Sequence, residues 1–449
     1  MSIRCGLSLL SLTLIMCAST PAAAQPPQSG QHAGAGTPAF AGVVDIWGGG
    51  SESIALMSDG TVWTWGWNGY GILGNGQGLS MMNPSTAYDS DVPFQVLGPD
   101  GAGHLSGITA IAGGEHHNVA LDANGDVWGW GWNYFGQLGN GIICPGTFNA
   151  AIYATDCQSM TPIKIPGLAN VKAIASRGYH TLALKNDGTV WAWGYNANGR
   201  LGDGTATDQH RPVPVGGLTG HGGVSTLSGG GDVSVALMAD HTLMAWGRNL
   251  NGQVGNGVAD SGDIGQWTPT PVSQSTGLTN VAQVATGWSH TVALAADGTV
   301  WTWGANDLGE LGDGTTTSRS VPIHVSGLSH VIGVSAGDGS TVVVKDDGTV
   351  WAWGTLRTES GGNLYANYAY GPTPVRVAGI DHATVVRARD WHVLALKVDG
   401  TVWAWGWNLK GQCGNGTVGG NTTIPAQVRF PSSPFTFTST TFLPLVAGR

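Results

Sequence analysis

One short string, written seven times along the chain, limits what this sequence can fold into. Asp59-Gly60-Thr61-Val62-Trp63-Thr64-Trp65-Gly66 recurs, with small changes, from Asn124, Asp187, Asp240, Asp297, Asp347 and Asp399. The copies lie 50 to 65 residues apart. Periods of this size indicate a stacked or circular array in which no unit buries its apolar faces alone. Each copy follows an apolar run such as Val284 to Leu294. Most precede a Gly-rich stretch such as Trp303 to Gly314, then a Pro-containing β-like segment such as Pro212 to Val215 or Pro374 to Val377.

Within a unit, Asp-Gly between two apolar runs is a hairpin signal, because Gly accepts the positive φ that such turns need. Side chains of period two surround it: His290, Val292 and Leu294 before the turn, Val300 and Thr302 after it, with Trp301 and Trp303 on the other face. Both faces are apolar, so each small sheet must be covered on both sides. Four short antiparallel strands per unit, packed between neighbours in a ring, satisfy that need. The fold class expected is all-β, a seven-bladed β-propeller.

Tryptophan supports this. Of 20 in the chain, Trp65, Trp130, Trp193, Trp246, Trp303, Trp353 and Trp405 fill one hairpin position in all seven copies. Trp63, Trp128, Trp191, Trp301, Trp351 and Trp403 fill a second, with Met244 as the exception. Each buried Trp removes roughly 150–250 Å² from water, an upper bound of about 4–6 kcal/mol. They read as packing between blades.

The ends differ from the repeats. Arg4, the apolar run Leu7 to Ala18 and Ala22-Ala23-Ala24 before Gln25 have the form of a secretory leader. The division expected is a signal peptide at 1–24, a flexible segment at 25–37, the propeller at 38–430 and a tail at 431–449 that is a candidate extra strand. Pro38 to Phe40 and Phe435 to Val446 each offer a strand for closing the ring. The expected location is secreted or periplasmic. The formal charge of −10 becomes more negative by one with loss of Arg4, which disfavours nucleic acid. No later segment is apolar enough for membrane insertion. Cys144 and Cys157 share one insert and are expected to form a disulfide in an oxidising compartment. Cys413 stands where other copies have Leu or Val and reads as a buried thiol.

His180 to Leu184, Asp187-Gly188, Trp193-Gly194 and Gly136-Gln137-Leu138-Gly139 resemble the repeat of the regulator-of-chromosome-condensation (RCC1) family, over roughly residues 43–428. The resemblance implies a seven-bladed propeller. It also implies a structural role for the repeat His, here His117, His180, His290 and His392, replaced by Glu52, Val233 and Ser340 in the other copies. Metal ligation by these histidines is not expected, since a ring holds equivalent positions far apart. Copy six lacks the Asn and the Gly-x-Leu-Gly stretch after Trp353-Gly354.

The family's functions vary. Nuclear members exchange guanine nucleotide on a small GTPase, a weaker fit to an exported acidic chain. Light-sensing plant members use Gly-Trp-Arg-His-Thr, which only Gly287-Trp288-Ser289-His290-Thr291 approaches, without the Arg. Secreted bacterial members, among them a β-lactamase inhibitor protein, grip a target with one propeller face.

In an antiparallel blade, the turns between strands one and two share a face with the loops between strands three and four. The residues after each Trp-Gly include Trp67, Trp132, Tyr195 and Trp407, and the first turns add Tyr179, Trp288 and Trp391. His116, Arg177, Asp232 and Arg389 stand among them. The inserts Gln77 to Asp91, Ile142 to Met160, Val258 to Trp267 and Thr355 to Gly371 emerge on the same side. Trp, Tyr and Arg on rigidly held loops are common interface anchors. The function expected is non-enzymatic protein binding, of an inhibitory kind, by a monomer without cofactor or metal; a lectin-like glycan binder is the alternative. Only Glu52, Glu115, Glu310 and Glu359 supply glutamates. No nucleophile elbow, zinc spacing or phosphate loop is present, so no catalytic residue is expected.

Overall fold

The computed structural model of the protein describes residues 42–78, 89–144, 157–262, 264–356 and 369–431. They form seven four-stranded antiparallel sheets. Each is a meander of consecutive strands whose innermost members are Val43–Gly48, Ile108–Gly113, Val171–Ser176, Val224–Gly229, Val281–Thr286, Val331–Ala336 and Ala383–Ala388. These seven sheets are the blades of the expected propeller, numbered one to seven in chain order. Among the described residues no strand passes from one blade to another, and blade seven meets blade one through apolar packing and hydrogen bonds such as Gly416 N–H to the Asp91 carbonyl at 2.9 Å. The leader, the segment at 25–37 and both candidate closing strands lie outside the described residues.

The Asp-Gly turns form as the sequence predicts. Gly60 has φ +79°, and the Asp59 carboxylate accepts from the Thr61 amide at 2.9 Å and the Thr61 hydroxyl at 2.7 Å. Thr61 in turn accepts from Trp63 Nε1 at 3.3 Å. Blade two has Asp126 in place of that Thr, and there Trp128 donates to Asp122 at 3.0 Å instead.

Apolar burial is divided among the blade interfaces. Seven clusters each draw residues from two adjacent blades, for example Ile54, Leu56 and Val62 with Ile108, Ile111 and Trp130. The cluster at ring closure joins Val43, Ile46 and Trp65 to Leu394, Leu396 and Cys413. Cys413 is a free, buried thiol, pushed up to about 12 by burial. Trp65, Trp130, Trp193, Trp246, Trp303, Trp353 and Trp405 are all fully buried.

Each of those indoles also donates a hydrogen bond to the preceding blade. Trp65, Trp130, Trp193, Trp246, Trp303 and Trp353 reach the backbone carbonyls of Gln412, Ile72, Gln137, Arg200, Gln253 and Glu310 at 2.8–3.0 Å. Those carbonyls belong to the Gly-x-Leu-Gly stretch, which an Asn side chain shapes by accepting the amide five residues on, as Asn68 does from Leu73 at 3.0 Å. Blade six lacks both features, and Trp405 donates to the Tyr370 hydroxyl at 2.7 Å.

The repeat histidines bind forward instead. Nε2 of His117, His180, His290 and His392 meets the hydroxyl of Thr181, Ser234, Thr341 and Ser53 in the next blade, at 2.8–3.1 Å. All four are fully buried. Burial lowers His117, His290 and His392 to about 3, and His180 well below its ordinary value. They are neutral staples between blades. At Gly114 a Cβ would lie 2.2 Å from the His117 ring, so the turn beneath that staple admits only glycine.

All seven outermost strands contain proline: Pro93, Pro162, Pro212, Pro269, Pro322, Pro372 and Pro425 among them. Proline lacks the N–H that a sheet edge would offer to another chain. Cys144 and Cys157 are disulfide-bonded, with 5.6 Å between their Cα atoms.

Candidate binding face and hub

The face of interest is built from the turns between first and second strands. Neighbouring turns are joined by backbone hydrogen bonds: Gly50 to Glu115, Glu115 to Gly178, Gly178 to Gly230, Gly231 to Gly287 and Trp288 to Gly337, amide to carbonyl, at 2.8–3.3 Å. This chain of bonds runs around blades one to six. It makes a rigid floor from which the larger side chains rise.

Over blades one to three, and reaching Trp288 of blade five, those side chains form one aromatic network. Trp67 packs edge-on to Tyr70 at 5.7 Å and to His116 at 5.2 Å. Tyr70 and Tyr134 stack on Trp132 at 5.2 and 5.8 Å. Phe135 links Trp132 at 5.4 Å to Tyr195 at 4.4 Å, and Tyr179 meets Trp132 at 5.6 Å and Trp288 at 6.5 Å. Five sequence-predicted residues, Trp67, Trp132, Tyr179, Tyr195 and Trp288, are therefore brought together. Trp391 and Trp407 form a separate edge-on pair at 5.0 Å.

Exposure divides them by role. Trp132 and Trp407 are buried at 3% and 4% exposure, so they support the layer from beneath. Trp67, Tyr179, Tyr195, Trp288 and Trp391 are half-buried, as are Tyr134 and Phe135. Tyr70, Tyr134 and Phe135 were missed by sequence reasoning. The available signal was their place between the loop Asn and the following Gly, in Asn68-Gly69-Tyr70-Gly71 and Asn133-Tyr134-Phe135-Gly136. His116 is lowered to about 4 by burial and is neutral, and burial raises the Tyr179 hydroxyl. Arg200 lies 4.4 Å over the Tyr195 ring and donates to the Gly231 carbonyl at 2.9 Å. Asp232 is held by Arg248 at 3.1 Å and Arg200 at 3.5 Å.

Arg177 and Arg389, grouped with the face residues from sequence, lie instead in the hub. They occupy the first turn position, which is Gly in the other five copies, and are only 3% and 2% exposed. Arg177 Nη1 donates to the carbonyls of Thr286 at 3.3 Å and of Ala336, and Nη2 pairs with Asp390 at 3.0 Å. Arg389 donates to the carbonyls of Gly49 at 3.2 Å, Gly114 at 2.7 Å and Arg177 at 3.3 Å. Two side chains thus stitch together six of the seven blades across the axis.

Carboxyls crowd the same hub. Glu52 is pushed up to about 8 by burial, against the lowering field of Arg389. Glu115 is raised well above its ordinary value by burial and by the Asp390 carboxylate, while Arg177 and Arg389 keep Asp390 ionised. Glu310 accepts from the Leu308 amide at 2.8 Å. Glu359 lies outside the described residues. The described glutamates are thus enclosed in the scaffold, and among the described residues no three His, Cys, Asp or Glu side chains are grouped to hold a metal ion.

Comparison with known proteins agrees with this geometry. The regulator of chromosome condensation (RCC1) repeat profile matches residues 59–121, 124–184, 187–237, 240–294, 297–344 and 399–439. The chain belongs to the RCC1 repeat family. Residues 345–398, which no match covers, contain the two outer strands of blade six, where the Asn and the Gly-x-Leu-Gly stretch are missing, and the two inner strands of blade seven. The ultraviolet-B receptor UVR8 of Arabidopsis thaliana is 31% identical over 389 residues, covering 83% of this chain and 79% of the relative. The mitochondrial RCC1 domain-containing protein RUG3 of the same plant is 31% identical over 279 residues, and the chain spans 55% of its length. Among solved structures, Prp20p from Saccharomyces cerevisiae superposes with a TM-score of 0.64 at 22% identity, covering 84% of this chain and 87% of that one.

Proposed function

We propose that this chain is an exported, non-enzymatic RCC1-repeat propeller that binds a protein partner and regulates it by occupancy. The observation that carries the reading is the continuous aromatic network over blades one to three and Trp288 of blade five, with half-buried Trp67, Tyr179, Tyr195 and Trp288 at its outer surface. Such rings offer large rigid contact area and dominate binding energy where they anchor an interface. Prp20p, of the same fold, is described with binding properties toward Gsp1p and histones. The leader-like start favours a partner met outside the cytoplasm.

The test is capture from culture medium and periplasmic extract of the producing organism, with the native protein and a Trp67→Ala/Tyr195→Ala variant. Retention of one protein species by the native form, weakened about 30-fold or more in the variant, is expected. Equal capture by both forms, with unchanged urea unfolding of the variant, refutes the aromatic face. Binding to a glycan array without any captured protein would replace this reading with the lectin-like one.

A further inference from the structure

Six of the seven blade interfaces are crossed by a link of chain, and each link sets one aliphatic side chain between the blades it joins. Leu105, Leu168, Leu278, Leu328 and Ile380 are buried in the apolar clusters of their interfaces, at 1–7% exposure. Each stands three residues before the innermost strand that follows, as Leu105 does before Ile108 and Leu328 before Val331. The link into blade four is longer, and there Leu218 packs against the cluster.

Blades seven and one are not consecutive, so no link joins them. Val62, Val96 and Ile108 share a cluster with Leu105; their counterparts at this interface are Val402, Val428 and Val43. Together with Met57, Gly400 and Phe430, these three valines line a groove of about 730 Å³. Phe430 reaches in from the C-terminal side, edge-on to Trp63 at 6.2 Å and to Trp65 at 5.8 Å, and is half-buried.

The backbone entering blade one keeps the register of the links. The Gly42 carbonyl accepts from the Ser58 amide at 2.9 Å, and the residue before each of the other six innermost strands accepts in the same way at 2.8–3.1 Å. Three places before Val43 stands Phe40, just outside the described residues. Phe40-Ala41-Gly42-Val43 thus corresponds to Leu105-Ser106-Gly107-Ile108.

We infer that the groove between blades seven and one is a docking site for the chain's own segment 38–41, with Phe40 inserted beside Phe430 as the seventh wedge. Its ring covers the three valines and supplies the apolar contact that Leu or Ile makes at the other interfaces. The two chain ends then close the circle from either side of one interface. The contact makes no use of the aromatic face, so this inference and the proposed function stand or fall separately. The rival occupant is the tail beyond Pro431, which carries Phe435 and Phe437.

Urea unfolding of full-length variants tests the assignment. Phe40→Ala should lower the folded-to-unfolded ratio on the order of 100-fold, as loss of a buried ring does in other cores. Phe40→Leu, which installs the side chain used at other interfaces, should keep most of the native value. Phe435→Ala/Phe437→Ala should leave it unchanged. A double-mutant cycle locates the contact: Phe40→Ala should be non-additive with Val428→Ala and additive with Leu278→Ala across the ring. If Phe40→Ala leaves no folded protein, Phe40→Val takes its place in the cycle. A native midpoint in Phe40→Ala, or additivity with Val428→Ala, overturns the inference. A loss in Phe435→Ala/Phe437→Ala that Phe40→Ala does not produce also overturns it and hands the groove to the tail.

Discussion

Replacing Glu52 by Gln should make this protein more stable, and increasingly so as pH rises. Glu52 occupies a position that is His in four other blades and is fully buried. One carboxyl oxygen accepts from the Ser51 amide at 3.3 Å, and the other has no partner among the described residues. Burial outweighs the field of Arg389 and moves the group from 4.5 to about 8. Below about pH 4.5 it is neutral in both folded and unfolded chains, and its contribution is fully present. As pH rises the unfolded chain gives up this proton first, and stability drains away until the folded group also ionises near 8. Each unit of that window is worth about 1.4 kcal/mol, so near pH 7 the loss is about 3 kcal/mol. That is a large share of a typical total. Glutamine has the shape of the neutral acid and no proton to lose. Urea unfolding followed by Trp fluorescence, at intervals from about pH 5 to about pH 8, reads the difference between variant and native protein. Any fixed offset from the new amide cancels, because only the pH dependence is used. A difference that is flat across this range, or that shrinks as pH rises, refutes the account of Glu52.

Other outcomes follow from the blade contacts. Tyr370→Phe removes the acceptor of the buried Trp405 indole and should cost about 1–3 kcal/mol in urea unfolding. The buried histidines act at the acid end, where the unfolded chain takes up protons near 6.5 and the folded His117, His290 and His392 resist until about 3. Stability should therefore fall as pH drops below about 6.5, and His290→Gln should make that fall shallower when unfolding is measured across the acid range. Replacing Pro212 and Pro214 together by Val restores edge donors on blade three; light scattering should then detect association that grows with protein concentration.

The ring was legible because its information is periodic. Seven hairpin turns (five Asp-Gly, one Asn-Gly and Asp240-His241), thirteen hairpin Trp with Met244 in the fourteenth place, and the placement of the Pro segments all follow from local rules repeated in order. Departures were legible as positions but not as consequences. Copy six visibly lacks its Asn and Gly-x-Leu-Gly, yet only coordinates reveal Tyr370 in the missing carbonyl's place. Arg177 and Arg389 stand where other turns have Gly, and sequence placed them on the face with their neighbours. Their direction depends on the vacant axis, which belongs to no single repeat. The aromatic layer was read through Trp67, Trp132 and Tyr195, but the partition into enclosed and accessible rings depends on Tyr70, Tyr134 and Phe135 from neighbouring loops.

Among the described residues no strand is exchanged between blades, and this sets how the circle is held together. Six of the seven interfaces form between blades that follow one another along the chain, and each can accumulate as blades are added. The seventh, where Ser53 meets His392 and Trp65 meets Gln412, unites segments more than 300 residues apart and adds burial without adding a blade. Without it the two end blades would each leave one apolar face uncovered; with it every blade has two neighbours. That junction is the latch of the molecule, the one blade contact that chain continuity does not itself hold in place.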